Sequence, residues 1–429
     1  MNKDRVILIA SLCFFSVVSA LVYFYAPDVT AHFEGDSVRY DMIARNITFL
    51  PEMPLEVLGY PFFLGVFYKL FNNSIGIIVF LQFLLSIICL FLFRRISFRL
   101  GGNAARNWIT ILWALNSGFL IYTQLLLLEI FLAFWLLLFI ERVVTYYFER
   151  RMIFLVQAAF VLGISILFRP AALFYALFFA VFLLFIKDQS FSRRIGSFVL
   201  FIVAFYCPII FYMFFNFIIF GRFVVCPVMN VNLFLIYYPK IELAFGQMGI
   251  VSNSLMASIK QDITSESITF KTQLNLLKLM FSYPFITIKI WIINMIKSFI
   301  GLYLTQWKLY FELGDQATSF FTFPGSFLEK MHGYIITGTN LKWLHIFGWL
   351  EVIYLIIEYI AAFVGLAYFV LKRYAWLSFF AFSFIFYFAF ITGPDGSGRF
   401  RMMFEPWLLI IAALGLAFIF SKNKKKVFG

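Results

Sequence analysis

Charge is scarce in this chain. Charged residues make up 13% of its 429 positions, while hydrophobic residues make up 63% and the mean hydropathy is +0.94. A soluble globular domain is about half apolar and about a quarter charged, and no stretch here keeps that composition for long. The composition therefore predicts an all-α polytopic membrane protein, built almost wholly of transmembrane helices and the loops between them.

Motifs for nucleotide, metal and redox chemistry are also lacking. The sequence has no Walker A motif, dinucleotide-binding glycine fingerprint, HExxH or CxxC, and its three histidines have no ligand spacing. The cysteines form no metal or redox pattern, so we interpret them as buried thiols. They are Cys13, Cys89, Cys207 and Cys226.

The chain does contain a series of apolar runs that are long enough to cross a hydrocarbon core of about 30 Å. The first, in Met1–Ala26, has no convincing signal-peptide cleavage site and is interpreted as a helix. The others lie at about 74–93, 107–122, 124–141, 153–168, 170–186, 196–220, 346–371, 374–392 and 402–420. These runs predict ten transmembrane helices.

Basic residues cluster at one end of the runs. They are Arg94, Arg95, Arg99 and Arg106; Arg142, Arg150 and Arg151; Lys187, Arg193 and Arg194; Lys372 and Arg373; and Lys422 with Lys424–Lys426. Because cytoplasmic loops carry an excess of Lys and Arg, these segments and both termini are predicted to be cytoplasmic. The formal charge of +13 is then a topology signal, and nucleic acid is not a predicted partner.

Two further apolar segments are predicted not to cross the membrane. Tyr60–Phe71 is too short to span, and residues 285–304 carry Lys289 and Lys297. Counting either as a crossing would place basic segments outside, so both are interpreted as outer interfacial helices.

The predicted topology gives three substantial outer loops, 27–73, 221–345 and 393–401. The chain is accordingly divided into three regions. These are a transmembrane catalytic module (1–220) that includes the first loop, an outer loop region with interfacial helices (221–345), and C-terminal transmembrane helices with a basic cytoplasmic tail (346–429).

The first outer loop contains a candidate catalytic acid. Asp36 shares a helical face with Tyr40, Ile43 and Ile47, which predicts a short helix at the membrane surface. An acid at its start is either an N-cap or a general base with access to both water and lipid.

Other acids interrupt the apolar runs. Glu129 lies among leucines near the outer end of its helix, where it is either functional or an acid that reaches the interface; ionisable groups in such positions are costly and usually functional. Glu351 and Glu358 lie seven residues apart on one helical face, and we expect them to pair with a neighbouring cation.

Three arginines are candidates for phosphate binding. Arg169 is the only charge between Met152 and Lys187, and it is either a phosphate ligand or a charge that anchors its helix at the interface. Arg399 and Arg401 lie in a short outer loop beside flexible glycines, which suits a phosphate or diphosphate group.

The order of these motifs resembles that of the polyprenyl-phosphate-sugar glycosyltransferases of the GT-C class, which include the protein O-mannosyltransferases and the lipid A aminoarabinose transferase. The matching stretches are Gly35–Tyr40 with Ala44 and Asn46, Gly59–Phe63 with Lys69–Phe71, Thr123–Glu129, Phe168–Pro170 and Ser397–Pro406. They cover most of residues 1–186 and 393–420, and the resemblance is weak across 221–345.

The resemblance implies a helical bundle of the GT-C type with its active site on the outer face. It implies that Asp36 is the catalytic base, that Glu129 is the second-loop acid, and that Arg399 and Arg401 lie near the donor phosphate. The remaining substrate-binding residues expected in or beside these motifs are Glu34, Tyr40, Asp41, Tyr60, Lys69 and Arg169. Asp36 is followed by Ser37 where some members carry an acidic pair, so no cofactor is assigned and a divalent metal is left open.

The predicted function is inverting transfer of a sugar from a polyprenyl-phosphate carrier to an acceptor hydroxyl on a glycan, lipid or protein. The predicted place is the outer face of a bacterial inner membrane. One alternative is an O-antigen polymerase or ligase, whose key residues would lie in a late outer loop. Another is a lipid-linked-sugar flippase or transporter, which would place charged residues along a path through the middle of the membrane.

Overall fold

The computed structural model describes residues 3–26, 28–46, 57–186, 190–226, 238–247, 254–264, 270–312, 323–371, 374–391 and 396–421. Every regular element in these ranges is a helix. The α-helices are α1 (Lys3–Phe24), α2 (Asp36–Arg45), α3 (Gly59–Leu70), α4 (Ile75–Leu115), α5 (Ser117–Ile121), α6 (Glu129–Glu149), α7 (Met152–Ile166), α8 (Leu173–Leu183), α9 (Phe191–Phe220), α10 (Tyr238–Gln247), α11 (Ser254–Thr264), α12 (Phe270–Ser282), α13 (Pro284–Ile300), α14 (Leu304–Glu312), α15 (Phe327–Ile336), α16 (Lys342–Leu371), α17 (Ala375–Ile391) and α18 (Glu405–Ile419). Three 3₁₀ helices accompany them: Val29–His32, Pro170–Ala172 and Gly398–Met403.

Five of these helices, α1, α4, α6, α9 and α16, are long and apolar enough to cross a membrane. A sixth candidate consists of the end of α12 and α13, which are bent by 96° relative to each other. Shorter apolar helices include α7, α17 and α18. The protein is therefore a helical membrane protein, as the composition predicts.

The runs predicted at 74–93 and 107–122 belong largely to one element, because α4 continues for 41 residues. At 1.5 Å per residue such a helix would be about 60 Å long, about twice the thickness of a hydrocarbon core. The backbone leaves the helical conformation at Gly101 and Gly102, and Gly102 adopts a φ of 68°, which glycine tolerates well. This break divides α4 into two apolar halves next to the basic residues predicted to be cytoplasmic.

The helix α6 lies at the centre of the bundle. In its most apolar window 72% of the residues are buried, against 22–39% for the other four long helices. It packs against α4 on one side and α7 on another. Its first residue, Glu129, is therefore held in the best-packed part of the molecule.

The helices α16 and α18 approach each other at backbone distance. A Cβ atom added to Gly365 would lie 1.9 Å from the carbonyl oxygen of Ile411, and one added to Gly415 would lie 1.9 Å from that of Ala361. Small residues at helix contacts permit this close approach. The resulting van der Waals packing favours helix association in membranes.

The four cysteines are free thiols. Cys89 is buried as expected, but the prediction of a buried thiol is wrong for Cys13, which is exposed on α1. This helix is one of the least buried long helices, and a thiol on its outer face behaves as a small hydrophobe that lipid can cover.

Candidate active site

Four charged side chains from distant parts of the chain meet beside the first turn of α6. Glu129 begins α6, and Asp36 begins α2. Arg169 immediately precedes one 3₁₀ helix, and Arg399 lies in another. We call these four residues the Arg399 cluster.

Arg399 joins the two carboxylates of this cluster. Its Nη1 lies 2.9 Å from Oδ2 of Asp36, and its Nε donates a hydrogen bond to Oε1 of Glu129. Nη1 of Arg169 lies 3.7 Å from the same Glu129 oxygen. The structure thus brings together the two acids and two of the three arginines that the sequence analysis selected.

The Arg399 cluster is dry at one end and open at the other. The side chain of Glu129 is 1% exposed, whereas that of Asp36 is 28% exposed. A molecule arriving from solvent therefore meets Asp36 first, while Glu129 stays shielded behind the arginines.

Nearby charges act differently on the two acids of the first loop. Burial alone would raise the pKa of Asp36, but Arg399, followed by Arg169 and Arg39, holds this pKa below its usual value. Burial raises the pKa of Glu34, with Arg399 opposing it. Asp36 is therefore ionised at neutral pH, and Glu34 accepts a proton more readily than an exposed glutamate does.

Asp36 does not serve as a helix cap. The N-cap of α2 is Gly35, whose φ of 50° lies in the left-handed region that favours glycine. The Asp36 carboxylate instead pairs with Arg39 and Arg399. The N-cap interpretation is therefore wrong. The short helix predicted to begin here is confirmed as α2, and its place at the membrane surface stays a prediction.

Two polar atoms of the Arg399 cluster have no hydrogen-bond partner within the described part of the chain. They are Nη2 of Arg399 and Oε2 of Glu129, and both are buried. Buried polar atoms in native proteins nearly always have partners, so an unmatched one requires an explanation such as a bound group. Here one unmatched atom is a donor and the other is an acceptor.

A buried, non-helical linker, residues 122–128, precedes Glu129 and positions it in the cluster. Its backbone is held by Gln82 of α4, whose Nε2 donates to the carbonyls of Thr123 at 3.1 Å and Leu125 at 2.8 Å. The Tyr60 hydroxyl donates to Oε1 of Gln82 at 2.7 Å. Tyr60, expected to bind substrate, is thus engaged in holding this linker.

His32 ties the segment that precedes α2 to the same linker. Its Nδ1 lies 2.6 Å from the carbonyl oxygen of Gln124, and its own carbonyl accepts from the N–H of Leu126 at 2.9 Å. These contacts place Asp36 beside Glu129. The sequence analysis missed His32, because a lone histidine has no ligand spacing. A polar amide inside an apolar run, as at Gln82, is the signal that would have indicated a buried hydrogen-bond network.

The glycines beside Arg399 serve close packing. A Cβ atom on Gly396 would lie 1.8 Å from the carbonyl oxygen of Asn294, and one on Gly398 would lie 2.6 Å from that of Gly301. The loop that carries Arg399 is therefore pressed against the C-terminal part of α13. The interpretation of these glycines as flexible is wrong at both positions.

Arg401 lies in a second, separate group of charges. Its Nε is 3.0 Å from Oε2 of Glu405, and its Nη2 is 3.8 Å from Oε1 of Glu351. Its Nη1 donates to the carbonyls of Phe299 and Gly301, and its side chain is 1% exposed. The structure does not bring Arg401 to the Arg399 cluster. We call Arg401, Glu351 and Glu405 the Arg401 cluster.

The expected pairing of acids on α16 is confirmed for Glu351. Besides Arg401, Glu351 accepts hydrogen bonds from the N–H groups of Tyr303 at 2.6 Å and Leu304 at 3.0 Å. Glu358 is fully buried within electrostatic range of Arg401, and neither of its oxygens has a hydrogen-bond partner among the described residues.

The other residues expected to bind substrate take different places. Tyr40 is buried against Tyr60, with ring centroids 5.5 Å apart, and lies within electrostatic range of the Arg399 cluster. The carboxylate of Asp41 is occupied by Tyr68 and Arg45, each at 2.7 Å. A further residue, Lys69, is exposed in the last turn of α3.

Comparison with protein-family models, curated proteins and solved structures gives no match. Among the described residues, no three His, Cys, Asp or Glu side chains are grouped so as to hold a metal ion. The function must therefore be argued from the geometry of the site.

Proposed function

We propose that this protein is a membrane glycosyltransferase that moves a sugar from a polyprenyl-phosphate carrier to an acceptor hydroxyl at the outer face of the membrane, with inversion. The observation that carries the proposal is the position of Arg399. It contacts both Asp36 and Glu129, and its buried Nη2 has no hydrogen-bond partner among the described residues. A lipid-linked donor suits a chain whose described helices are mostly apolar, because the carrier can remain in the bilayer.

In the proposed reaction, the acceptor oxygen attacks the anomeric carbon while its proton passes to Asp36. The bond between that carbon and the phosphate oxygen breaks, and the phosphate leaves with the electron pair. Arg399 and Arg169 stabilise the charge that develops on the leaving group, the kind of electrostatic contribution that is usually large in a dry site. Proton transfer to a positioned base typically contributes about 10²–10⁴-fold.

The ion pair between Arg399 and Asp36 fits an ordered reaction. Asp36 is ionised before substrate arrives, because Arg399 helps to lower its pKa. A donor phosphate that attracts the same guanidinium weakens this ion pair, so the carboxylate becomes a stronger base when the donor is in place. Donor binding therefore precedes activation of the acceptor.

The proposal includes a topology of ten crossings, with both termini in the cytoplasm of a bacterial inner membrane. In this arrangement the first outer loop and the loop before α18 lie on the same side. The contact between Asp36 and Arg399 supports that placement, since two loops on opposite faces of a bilayer cannot exchange an ion pair.

Transfer by purified protein in lipid nanodiscs tests the proposal. The assay supplies a polyprenyl-phosphate sugar labelled in the sugar and a glycolipid fraction of the source membrane as acceptor. Asp36→Asn should lower the rate by about 10²-fold or more and leave donor binding intact. Asp41→Asn is the matched control and should retain measurable transfer, because Asp41 is already occupied by Tyr68 and Arg45. A near wild-type rate in Asp36→Asn would contradict the assignment and make Glu129 the next candidate.

One observation favours a second candidate, a transporter of lipid-linked sugar. The Arg401 cluster and Glu358 place charged residues between membrane helices, where ionisable groups often mark a transport path. Movement of labelled lipid between leaflets of proteoliposomes, without transfer of its sugar, would support this function over the first.

A further inference from the structure

The deep side of the Arg399 cluster contains several polar atoms without partners. Tyr122 is fully buried, and its hydroxyl has no hydrogen-bond partner among the described residues. The same holds for Oε1 of Gln306, whose residue is 7% exposed, and for Oε2 of Glu34. With Oε2 of Glu129, four unmatched oxygen atoms are therefore available in the interior.

These groups lie together although they come from separate elements. The side chain of Gln306, on α14, reaches the carboxylate of Glu34. Tyr122 lies within electrostatic range of Glu34, Glu129 and Arg399. They therefore lie close to one another and to the guanidinium of Arg399.

The ring of Tyr122 is fixed in place. It packs edge-on against Tyr303, with ring centroids 5.6 Å apart, at the start of the linker that Gln82 holds. This ring contact and the held backbone set the position of the hydroxyl before any ligand binds.

The chemistry of these atoms selects a class of ligand. Carboxylate and amide oxygens accept hydrogen bonds and do not donate them, whereas a tyrosine hydroxyl does both. A fully ionised phosphate offers no donor, so it cannot satisfy the unmatched oxygens of Gln306 and Glu129. The hydroxyl groups of a sugar ring each offer one donor, and they match an acceptor-rich surface.

We propose that Glu34, Gln306 and Tyr122 form a hydroxyl-binding subsite that holds the sugar ring of the lipid-linked donor while Arg399 binds its phosphate. The inference rests on the proposed function. In the donor a single oxygen joins the ring to the phosphate, so the ring must lie close to the phosphate-binding guanidinium. The more exposed side, at Asp36, is left for the acceptor.

The experiment compares two probes on the full-length protein in detergent: farnesyl phosphate, and farnesyl phosphate esterified to glucose, galactose or mannose. Wild-type protein should bind at least one hexosyl ester more tightly than the bare phosphate. Tyr122→Phe should reduce that preference by about three- to tenfold, which corresponds to the loss of one hydrogen bond. Its affinity for bare farnesyl phosphate should not change.

The matched control is Tyr175→Phe. Tyr175 is also fully buried, and it packs among Phe384 and Phe388 rather than at the cluster. Tyr122→Phe removes a hydroxyl that has no partner in the described structure, so its melting temperature should equal or exceed that of wild type. Glu34→Gln is the second variant and should show the same loss of preference if Tyr122→Phe does not fold.

The possible outcomes distinguish failure of the sugar subsite from failure of the proposed function. Full sugar preference in both Tyr122→Phe and Glu34→Gln would overturn the subsite and leave the proposed function standing. Equal affinity of wild type for the bare phosphate and every hexosyl ester would overturn the subsite alone. Binding of neither probe would overturn phosphate recognition by Arg399, and the subsite with it.

Discussion

At the scale of single residues, two arginines that are two positions apart have different surroundings. Arg399 faces Asp36 and Glu129, while Arg401 is enclosed by Glu405 and Glu351. Both lie in one 3₁₀ helix, where each residue turns the chain by about 120°. Side chains two positions apart therefore point in clearly different directions.

Arg399→Gln and Arg401→Gln should consequently fail in different ways. Arg399→Gln should weaken binding of a polyprenyl phosphate by roughly 2–5 kcal/mol, because a buried charge-assisted contact is lost, while the protein still folds. Arg401→Gln should lower stability by roughly 3–5 kcal/mol, because Glu405 and Glu351 are left in the interior without their cation.

Lipid-phosphate binding and thermal unfolding, measured for both variants in the same micelles, check this prediction. A stable Arg401→Gln protein that no longer bound the phosphate would restore Arg401 to the binding site. An Arg399→Gln protein with unchanged affinity would remove Arg399 from it.

Much of the Arg399 cluster could be predicted from sequence, because charges are rare in an apolar chain and each one is conspicuous. Glu129 and Arg169 were selected on that ground, whereas Asp36 and Arg399 were selected from their positions in loops predicted to lie outside. Tyr122 could not be, since it is one of 22 tyrosines, and only packing shows that its hydroxyl is buried without a partner. The separation of Arg401 was likewise invisible until the local helix type was known.

At the scale of elements, the contact between α16 and α18 holds the Arg401 cluster together. Glu351 lies on α16, and Glu405 begins α18. Between the two helices, Gly415 would place a Cβ atom 1.9 Å from the carbonyl oxygen of Ala361, which is inside any permitted contact. A backbone carbonyl cannot rotate away as a flexible side chain can.

Gly415→Val should therefore force the two helices apart. Overpacking of a tight interface typically costs about 1–3 kcal/mol, and sometimes more, so the melting temperature in detergent should fall. Gly196→Val is the matched control, because Gly196 lies within a helix but a Cβ atom there meets nothing within 4 Å. Equal melting temperatures for the two variants would contradict the packing argument.

The element that sequence reasoning placed least directly is α13. The run at 285–304 is long enough to span, and two arguments were made against a crossing. It contains Lys289 and Lys297, and a crossing there would place the Lys-rich C-terminal tail outside. The structure adds that α13 is bent by 96° from the end of α12 and that the loop of Arg399 is packed on its C-terminal part. If the loop of Arg399 lies outside, as proposed, a helix that contacts it along this part is expected to remain near the outer surface.

A cysteine at Gln316, downstream of α13, tests that expectation. It should react with an impermeant maleimide added from the outside, since the proposed topology has no crossing between α9 and α16. The four native thiols must first be replaced, so that the introduced cysteine is the only thiol that can react. Labelling from the cytoplasmic side alone would mean that α13 crosses the membrane.

At the scale of the whole molecule, the distribution of charge follows the bundle. The basic clusters at Arg94–Arg106, Arg142–Arg151 and Lys187–Arg194 flank the apolar runs of the sequence, whereas Glu129, Arg399 and Arg401 of the candidate site are largely buried. Composition alone could predict the membrane class, since five long apolar helices follow from it. It could not fix the number of crossings, because several helices are shorter than a bilayer is thick.

Reporter fusions at three positions determine the topology. A fusion after Cys226 follows seven proposed crossings and should report the outer side, as should one after Asn340 if α13 does not cross. A fusion after Gly429 follows three more and should report the cytoplasm. The positive-inside rule gives the physical reason, since loops rich in Lys and Arg are retained on the cytoplasmic side. Two reporters are fused at each position in parallel: a fluorescent protein that is active only in the cytoplasm, and alkaline phosphatase that is active only outside. At any one position only one of them should be active, so each result checks the other.

If Gly429 reported the outer side while Cys226 and Asn340 also did, α16, α17 and α18 would make an even number of crossings, and one of the two shorter helices would lie within the bundle without spanning it. The outer placement of the Arg399 loop would then have to be argued from its ion pair with Asp36 alone.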